Sequence, residues 1–108
     1  MDRVKKMVHY WCDDIKKAGL TGKGVTVAVL DTGLAPHPDF KSRVVGWRDC
    51  IYRKEKCYDD NGHGTHVTGI LAGDGRMSSG RYTGAAPGCS IIALKVLDRY
   101  GNGSREDL

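Results

Sequence analysis

Residues 25–30, VTVAVL, form an apolar run without polar/apolar alternation, with turn residues before it and Asp31 closing it. A half-exposed strand alternates with a period of two, so a run of this kind reads as a strand buried on both faces, as in a parallel sheet flanked by helices. SIIALKVL (90–97) repeats the pattern, and RVVGWRD (43–49) supplies a further strand. Two helices are expected around them. Residues 3–18 carry Val4, Met7, Val8, Trp11 and Ile15 at three- and four-residue steps, closed by Gly19. A second helix begins at His63, with Val67, Ile70 and Leu71 on its apolar side and Gly69 open to close backbone approach. The order helix, strand, strand, helix, strand predicts an α/β fold with a largely parallel sheet.

At 108 residues the chain is one domain or less, short for an open α/β fold with several crossovers. The final SREDL reads as a helix start, with Ser104 as N-cap and Asp107 three residues on, but that helix has no body within the chain. IYRKEKCYDDNG (51–62) and the stretch GDGRMSSGRYTGAAPG (73–88) read as loops. The net charge of +4 is scattered along the chain rather than gathered into a basic stripe with interleaved aromatics, which argues against nucleic-acid binding. No stretch approaches the apolar length of a membrane span, and the N-terminal residues lack the apolar segment of a secretion signal. A cytoplasmic location is the expectation. Cys12, Cys50, Cys57 and Cys89 form no C-x2-C pair, so free thiols are expected, with a Cys50–Cys57 disulfide across the YRKEK loop as the alternative.

Chemistry concentrates in two places. Asp31 ends a buried strand, and in open α/β sheets functional groups gather beyond the carboxyl ends of the strands. An Asx turn that caps the next segment is the bland alternative. HGTH (63–66) places two histidines on one helix face at the helix start. A metal site would need more ligands, and this is not the i, i+4 pair of an HExxH zinc helix. GLTGKG (19–24) is no phosphate loop, because its glycines precede the strand and the lysine is followed by Gly24. A base is the stronger reading: if Asp31 bonds one ring nitrogen of His63, the other nitrogen is free to take a proton.

VAVLDTG followed by DDNGHGTHVTGILAG resembles the aspartate and histidine signatures of the subtilisin-like serine proteases, in that family's chain order. HPDF (37–40), GAAPG (84–88), ALKVL (93–97) and GNG (101–103) resemble further family segments in the same sequence. The resemblance implies a subtilisin-like three-layer α/β fold with a mostly parallel sheet, of which this chain is the N-terminal portion. It implies serine-type peptide-bond hydrolysis with Asp31 and His63 as the triad aspartate and base, in the Asp-His-Ser order that subtilisin itself exemplifies. His66 corresponds to a structural helix residue. Gly101, Asn102 and Gly103 correspond to the stretch that pairs with the substrate backbone, and Leu97 and Arg105 to a pocket for an upstream substrate side chain. Asp39 matches a calcium ligand of many members, although GDGRMSSGRY does not resemble the loop that completes that site. No cofactor is implied for the chemistry itself.

The resemblance also implies a serine nucleophile in a GTS-type motif and an oxyanion asparagine, both expected after Leu108. Ser42, Ser78, Ser79, Ser90 and Ser104 lack that context. Residues 1–108 are therefore expected to be inactive alone, to act on polypeptides when completed by the remaining C-terminal part of the domain, and to have neither nucleic acid nor membrane as partner. The alternative is a non-catalytic protease-like module that keeps the aspartate and histidine without activity.

Overall fold

The computed structural model describes residues 20–75 and 83–104. Three strands form one parallel sheet, β1 (Thr26–Asp31), β2 (Val44–Asp49) and β3 (Ser90–Lys95), in the order β1-β3-β2. One helix, α1 (His63–Ala72), joins β2 to β3 and packs on β1, and a short 3-10 turn, Lys41–Arg43, leads into β2. These are the strands and the helix expected from the apolar runs, each within a residue or two. The helix expected over 3–18 and the body of the one begun at Ser104 lie outside the described residues. Among the described residues no helix is long and apolar enough to cross a membrane.

Parallel register sets Leu30 beside Leu94 and Asp31 beside Lys95. Ile91 and Ala93 of β3 are buried with Leu34, Phe40, Ala72 and Cys89, and Val27, Val29, Val44 and Trp47 pack against this core from the flanking strands. The expectation that VTVAVL is buried on both faces needs correction: Ala28 and Leu30 are exposed, alternating with half-buried Val27 and Val29. The reason is topological. β1 stands at the edge of the sheet among the described residues, and only the face carrying Val27 and Val29 meets the core.

The buried side of α1 also differs from its apolar pattern. Gly64, Thr68 and Ala72, four residues apart, are buried, whereas Val67, Ile70 and Leu71 are only half-buried. Small residues win this position because backbone comes close. The amides of Ala85 and Ala86 donate to the carbonyls of Ile70 and Leu71 at 2.9 and 2.6 Å, and a Cβ on Gly84 would lie 2.7 Å from the Ala72 nitrogen. The same corner is tied by Arg43, whose guanidinium donates to the carbonyls of Cys89, Ala72 and Asp39. One side chain thus satisfies three carbonyls drawn from the start of β3, the end of α1 and the turn before β2, in charge-assisted bonds.

The loop after β2 winds around Asp49, whose carboxylate accepts the amides of Ile51, Tyr52 and Lys54 and the hydroxyl of Tyr58. Burial pushes the Asp49 carboxyl up, but these bonds together outweigh it and hold the group below its ordinary range. Cys50, Cys57 and Cys89 are free thiols, so the loop is closed by Asp49 rather than by a disulfide. The winding delivers Tyr58 and Asp59 against Gly33 and Leu34: Leu34 N–H donates to the Tyr58 carbonyl at 3.0 Å, and Gly33 bridges Asp59. A Cβ on Gly33 would stand 2.1 Å from the Tyr58 carbonyl oxygen, and its φ of +131° is one that L side chains rarely adopt.

Candidate active site

Asp31 is the last residue of β1, at the carboxyl end of a parallel strand. Its backbone carbonyl accepts the amides of Val96 and Leu97 at 3.0 and 3.2 Å, which pins it to the exit of β3. Its carboxylate accepts the Thr32 amide at 2.7 Å. Both carboxylate oxygens also reach the Nδ1 of His63, at 2.8 and 3.0 Å. A carboxylate can only accept, so Nδ1 is the donor, and in the neutral ring Nε2 carries the lone pair. The Asp31 side chain is 13% exposed and that of His63 is 63% exposed. The pair thus runs from the protein interior to its surface, with the acceptor nitrogen at the open end.

His63 opens α1, and the helix start is capped from three directions. Gly62, in a left-handed conformation with φ of 101°, supplies no side-chain cap. Instead the His63 amide donates to Asn61 Oδ1 at 3.0 Å, the Gly64 amide to Thr32 Oγ1 at 2.9 Å, and the Thr65 amide to Asp59 Oδ2 at 2.9 Å. The next amide, that of His66, already donates to the Gly62 carbonyl. Every amide of the first turn is therefore satisfied. Burial pushes the Asp59 carboxyl up, but the Thr65 hydroxyl and the amides of Gly62, Thr65 and Asn61 outweigh it and hold the group well below the usual carboxylate range. A buried cation lies underneath. Lys95 is fully buried, and its Nζ donates to the Thr32 carbonyl and to Asp60 Oδ1, each at 2.7 Å, with the Tyr58 ring centre 5.3 Å away.

Of the remaining residues expected at the site, one bonds the pair directly. Leu97 is half-buried and bonded to Asp31 through its amide. Gly101, Asn102 and Gly103 are exposed, but both backbone groups of Asn102 are taken by Asp98, its amide by the carboxylate at 3.0 Å and its carbonyl by the Asp98 amide at 2.8 Å. At Asn102 the turn thus closes on itself. Gly103 lies against the Val96 carbonyl, where an added Cβ would be 2.4 Å away. Asn61 Nδ2 donates to the Arg99 carbonyl at 2.9 Å, which ties this turn to the residue that caps His63. Arg105 lies outside the described residues.

Asp39 gives its carbonyl to Arg43 and to the Asp74 amide, and its Oδ1 lies 3.9 Å from His37 Nδ1. Among the described residues no group of three or more His, Cys, Asp or Glu gathers as a metal site.

His66 requires a correction. It is exposed rather than packed. Two residues on from Gly64 and two before Thr68, it lies about 200° around the helix from the buried stripe, which turns it to the surface. His66→Ala is accordingly expected to shift stability by no more than about 0.5 kcal/mol, the range for an exposed side chain without partners. Thermal melting of the variant measures this, and a loss of several degrees would show that the ring is covered.

Sequence reading missed Thr32, Asp59, Asp60, Asn61 and Lys95. A signal existed for two of them: Asp and Asn just before a helix are capping residues. Nothing local marks Lys95, which sits in an apolar strand and is paired only through the fold.

The profile of the subtilase family of S8 peptidases matches residues 22–108. Serine protease AprX of Bacillus subtilis (strain 168) is 53% identical over 89 residues, which cover 82% of this chain and 20% of that protein. The minor extracellular protease Epr of the same strain is 40% identical over 92 residues, 85% of this chain and 14% of that protein. Among solved structures, a cold-adapted subtilisin-like serine proteinase superposes with a TM-score of 0.69 at 34% identity, over 82% of this chain and 30% of the other. The chain thus spans less than a third of each of these proteins. The expected α/β fold with a parallel sheet is that of the N-terminal portion of these domains. The expected cytoplasmic location is overturned here, since Epr is by name extracellular. That expectation rested on the residues before β1, and a chain spanning 14% of such a relative says nothing about a leader.

Proposed function

We propose, from the premise that the chain belongs to the subtilase family, that Asp31 and His63 are the aspartate and base of a serine endopeptidase. In this reading the chain is the N-terminal portion of the catalytic domain, and the nucleophilic serine and oxyanion donors are supplied by polypeptide beyond residue 108. The observation that carries it is the Asp31–His63 pair, bonded at 2.8 Å with Nε2 at the exposed end.

The chemistry follows from the tautomer. Nε2 takes the serine proton as the oxygen attacks the scissile carbonyl. Asp31, accepting from Nδ1–H, stabilises the imidazolium that forms and keeps the ring oriented. The same proton then passes from Nε2 to the leaving amine, leaving an acyl-enzyme that water hydrolyses by the reverse relay. Polypeptides are the substrate class. Leu97, bonded to Asp31, together with Gly101, Asn102 and Gly103 of the following turn and Arg105 after it, would line the bound chain. No cofactor enters these steps.

A chain continued through the remainder of the domain is expected to be labelled by a fluorophosphonate on a serine outside residues 1–108 and to digest an unstructured protein. The 108 residues alone are expected to do neither. Labelling of Ser42, Ser78, Ser79, Ser90 or Ser104 would overturn the assignment of the nucleophile. A continued chain that folds but takes no label would favour the non-catalytic module.

A further inference from the structure

We infer that Asp59 is a positioning residue for the Asp31–His63 pair, one carboxylate holding both partners in register from behind. The inference rests on the reading of that pair as the catalytic aspartate and base.

Asp31 and His63 belong to different elements, 32 residues apart, and a 2.8 Å bond between a strand end and a helix start needs both held independently. Asp59 touches both sides. Its Oδ1 accepts the Thr32 hydroxyl at 2.8 Å and the amides of Asn61 and Gly62 at 3.1 and 2.8 Å. Its Oδ2 accepts the Thr65 amide at 2.9 Å and the Thr65 hydroxyl at 2.6 Å. Each donor neighbours one member of the pair. Thr32 follows Asp31 and gives its own amide to the Asp31 carboxylate, while Asn61, Gly62 and Thr65 flank His63.

Thr32 is the joint between the halves. It is 1% exposed, and its hydroxyl donates to Asp59 while accepting the Gly64 amide at 2.9 Å. Only an acceptor at Asp59 fixes the direction of that hydroxyl proton, leaving the oxygen lone pairs for Gly64. The Lys95 ammonium clamps the Thr32 carbonyl from below but reaches neither the helix amides nor the His63 ring. The Thr65 hydroxyl in turn accepts the Ala35 amide at 2.9 Å, so the Oδ2 branch also reaches the segment after Asp31, though farther from the carboxylate.

The two oxygens make separable predictions. Asp59→Ala removes both branches. Asp59→Asn keeps an oxygen for Thr32, Asn61 and Gly62 and replaces the acceptor for the Thr65 amide with a donor. Thr32→Val, nearly isosteric, cuts the joint and leaves the remaining Asp59 bonds in place.

The readout is the low-field Nδ1 proton of His63, observed by NMR in the full-length protein with ¹⁵N-labelled histidine, well below the melting temperature. Asp31→Asn and His63→Ala assign the signal. Asp59→Ala and Thr32→Val are expected to lose it to solvent exchange while the amide signals of β1 and β3 keep their positions, and Asp59→Asn is expected to retain it. A cap with only a structural role would lower the melting temperature and leave the proton protected. Protection in Thr32→Val therefore overturns the inference, as does protection in a folded Asp59→Ala. If Asp59→Ala does not fold, Thr32→Val and Asp59→Asn decide between them. The peptidase reading fails separately, through a full-length protein that shows the signal and takes no fluorophosphonate.

Discussion

His63→Ala, in a chain continued through the rest of the domain, is expected to lower kcat by roughly 10⁶-fold, and Asp31→Ala by roughly 10⁴-fold, a scale carried over from subtilisin rather than obtained from this geometry. The ordering is what the geometry explains. Without His63 nothing accepts the serine proton, because Asp31 is 13% exposed and both its oxygens face Nδ1. Without Asp31 the ring remains, but it loses the acceptor that selects its tautomer and the charge that stabilises the imidazolium. The two losses overlap, so the double variant is expected to match His63→Ala rather than the product of the single effects. Steady-state kinetics on a chromogenic peptide decide the matter, with folding checked by circular dichroism. Equal and small losses in both variants would mean that the pair is structural.

Gly64→Ala is expected to damage the same pair without touching either member. A Cβ there would stand 2.3 Å from the Gly33 carbonyl oxygen, 3.0 Å from the Gly33 nitrogen and 3.2 Å from the Asp31 Cβ. Two of these atoms are backbone, in a segment held by Tyr58 and Asp59, so no side chain can swing aside. Alanine in a helix gains about 1 kcal/mol over glycine in propensity. Overpacking a tight contact costs about 1–3 kcal/mol, and a clash with backbone falls at the upper end, so the net effect is destabilising. The helix relieves the contact by lifting away from β1, which carries the adjacent His63 from Asp31. A misplacement of about 1 Å is worth roughly 10²-fold in rate. Melting temperature and kcat/KM should therefore fall together. A variant that melts at or above the parent with unchanged kcat/KM would show that α1 does not need this close approach.

The sequence by itself marked the three strands and the helix α1, and pointed to Asp31 and His63 as partners. Apolar runs such as VTVAVL and SIIALKVL limit a segment to strand, and the glycines around HGTH mark a helix start at a tight approach, because these are properties of a residue and its near neighbours. The aspartate and histidine were legible through the resemblance of their motifs, since both motifs are short and continuous. What the tertiary structure decided is everything that joins distant segments. Val67, Ile70 and Leu71 are the obvious apolar face of α1, yet Gly64, Thr68 and Ala72 are buried, because the residues after Asp31 and those around Gly84 approach that side as bare backbone. His66 shares a motif with His63 and lies exposed, because burial depends on which way the stripe faces and not on the motif. Lys95 is indistinguishable in sequence from a solvated lysine and is fully buried, because Thr32 and Asp60, 63 and 35 residues away, converge on its ammonium. Asp59 is marked in sequence as a helix cap, but its bond to Thr32, 27 residues away, forms only once the strand end and the helix start have been brought together.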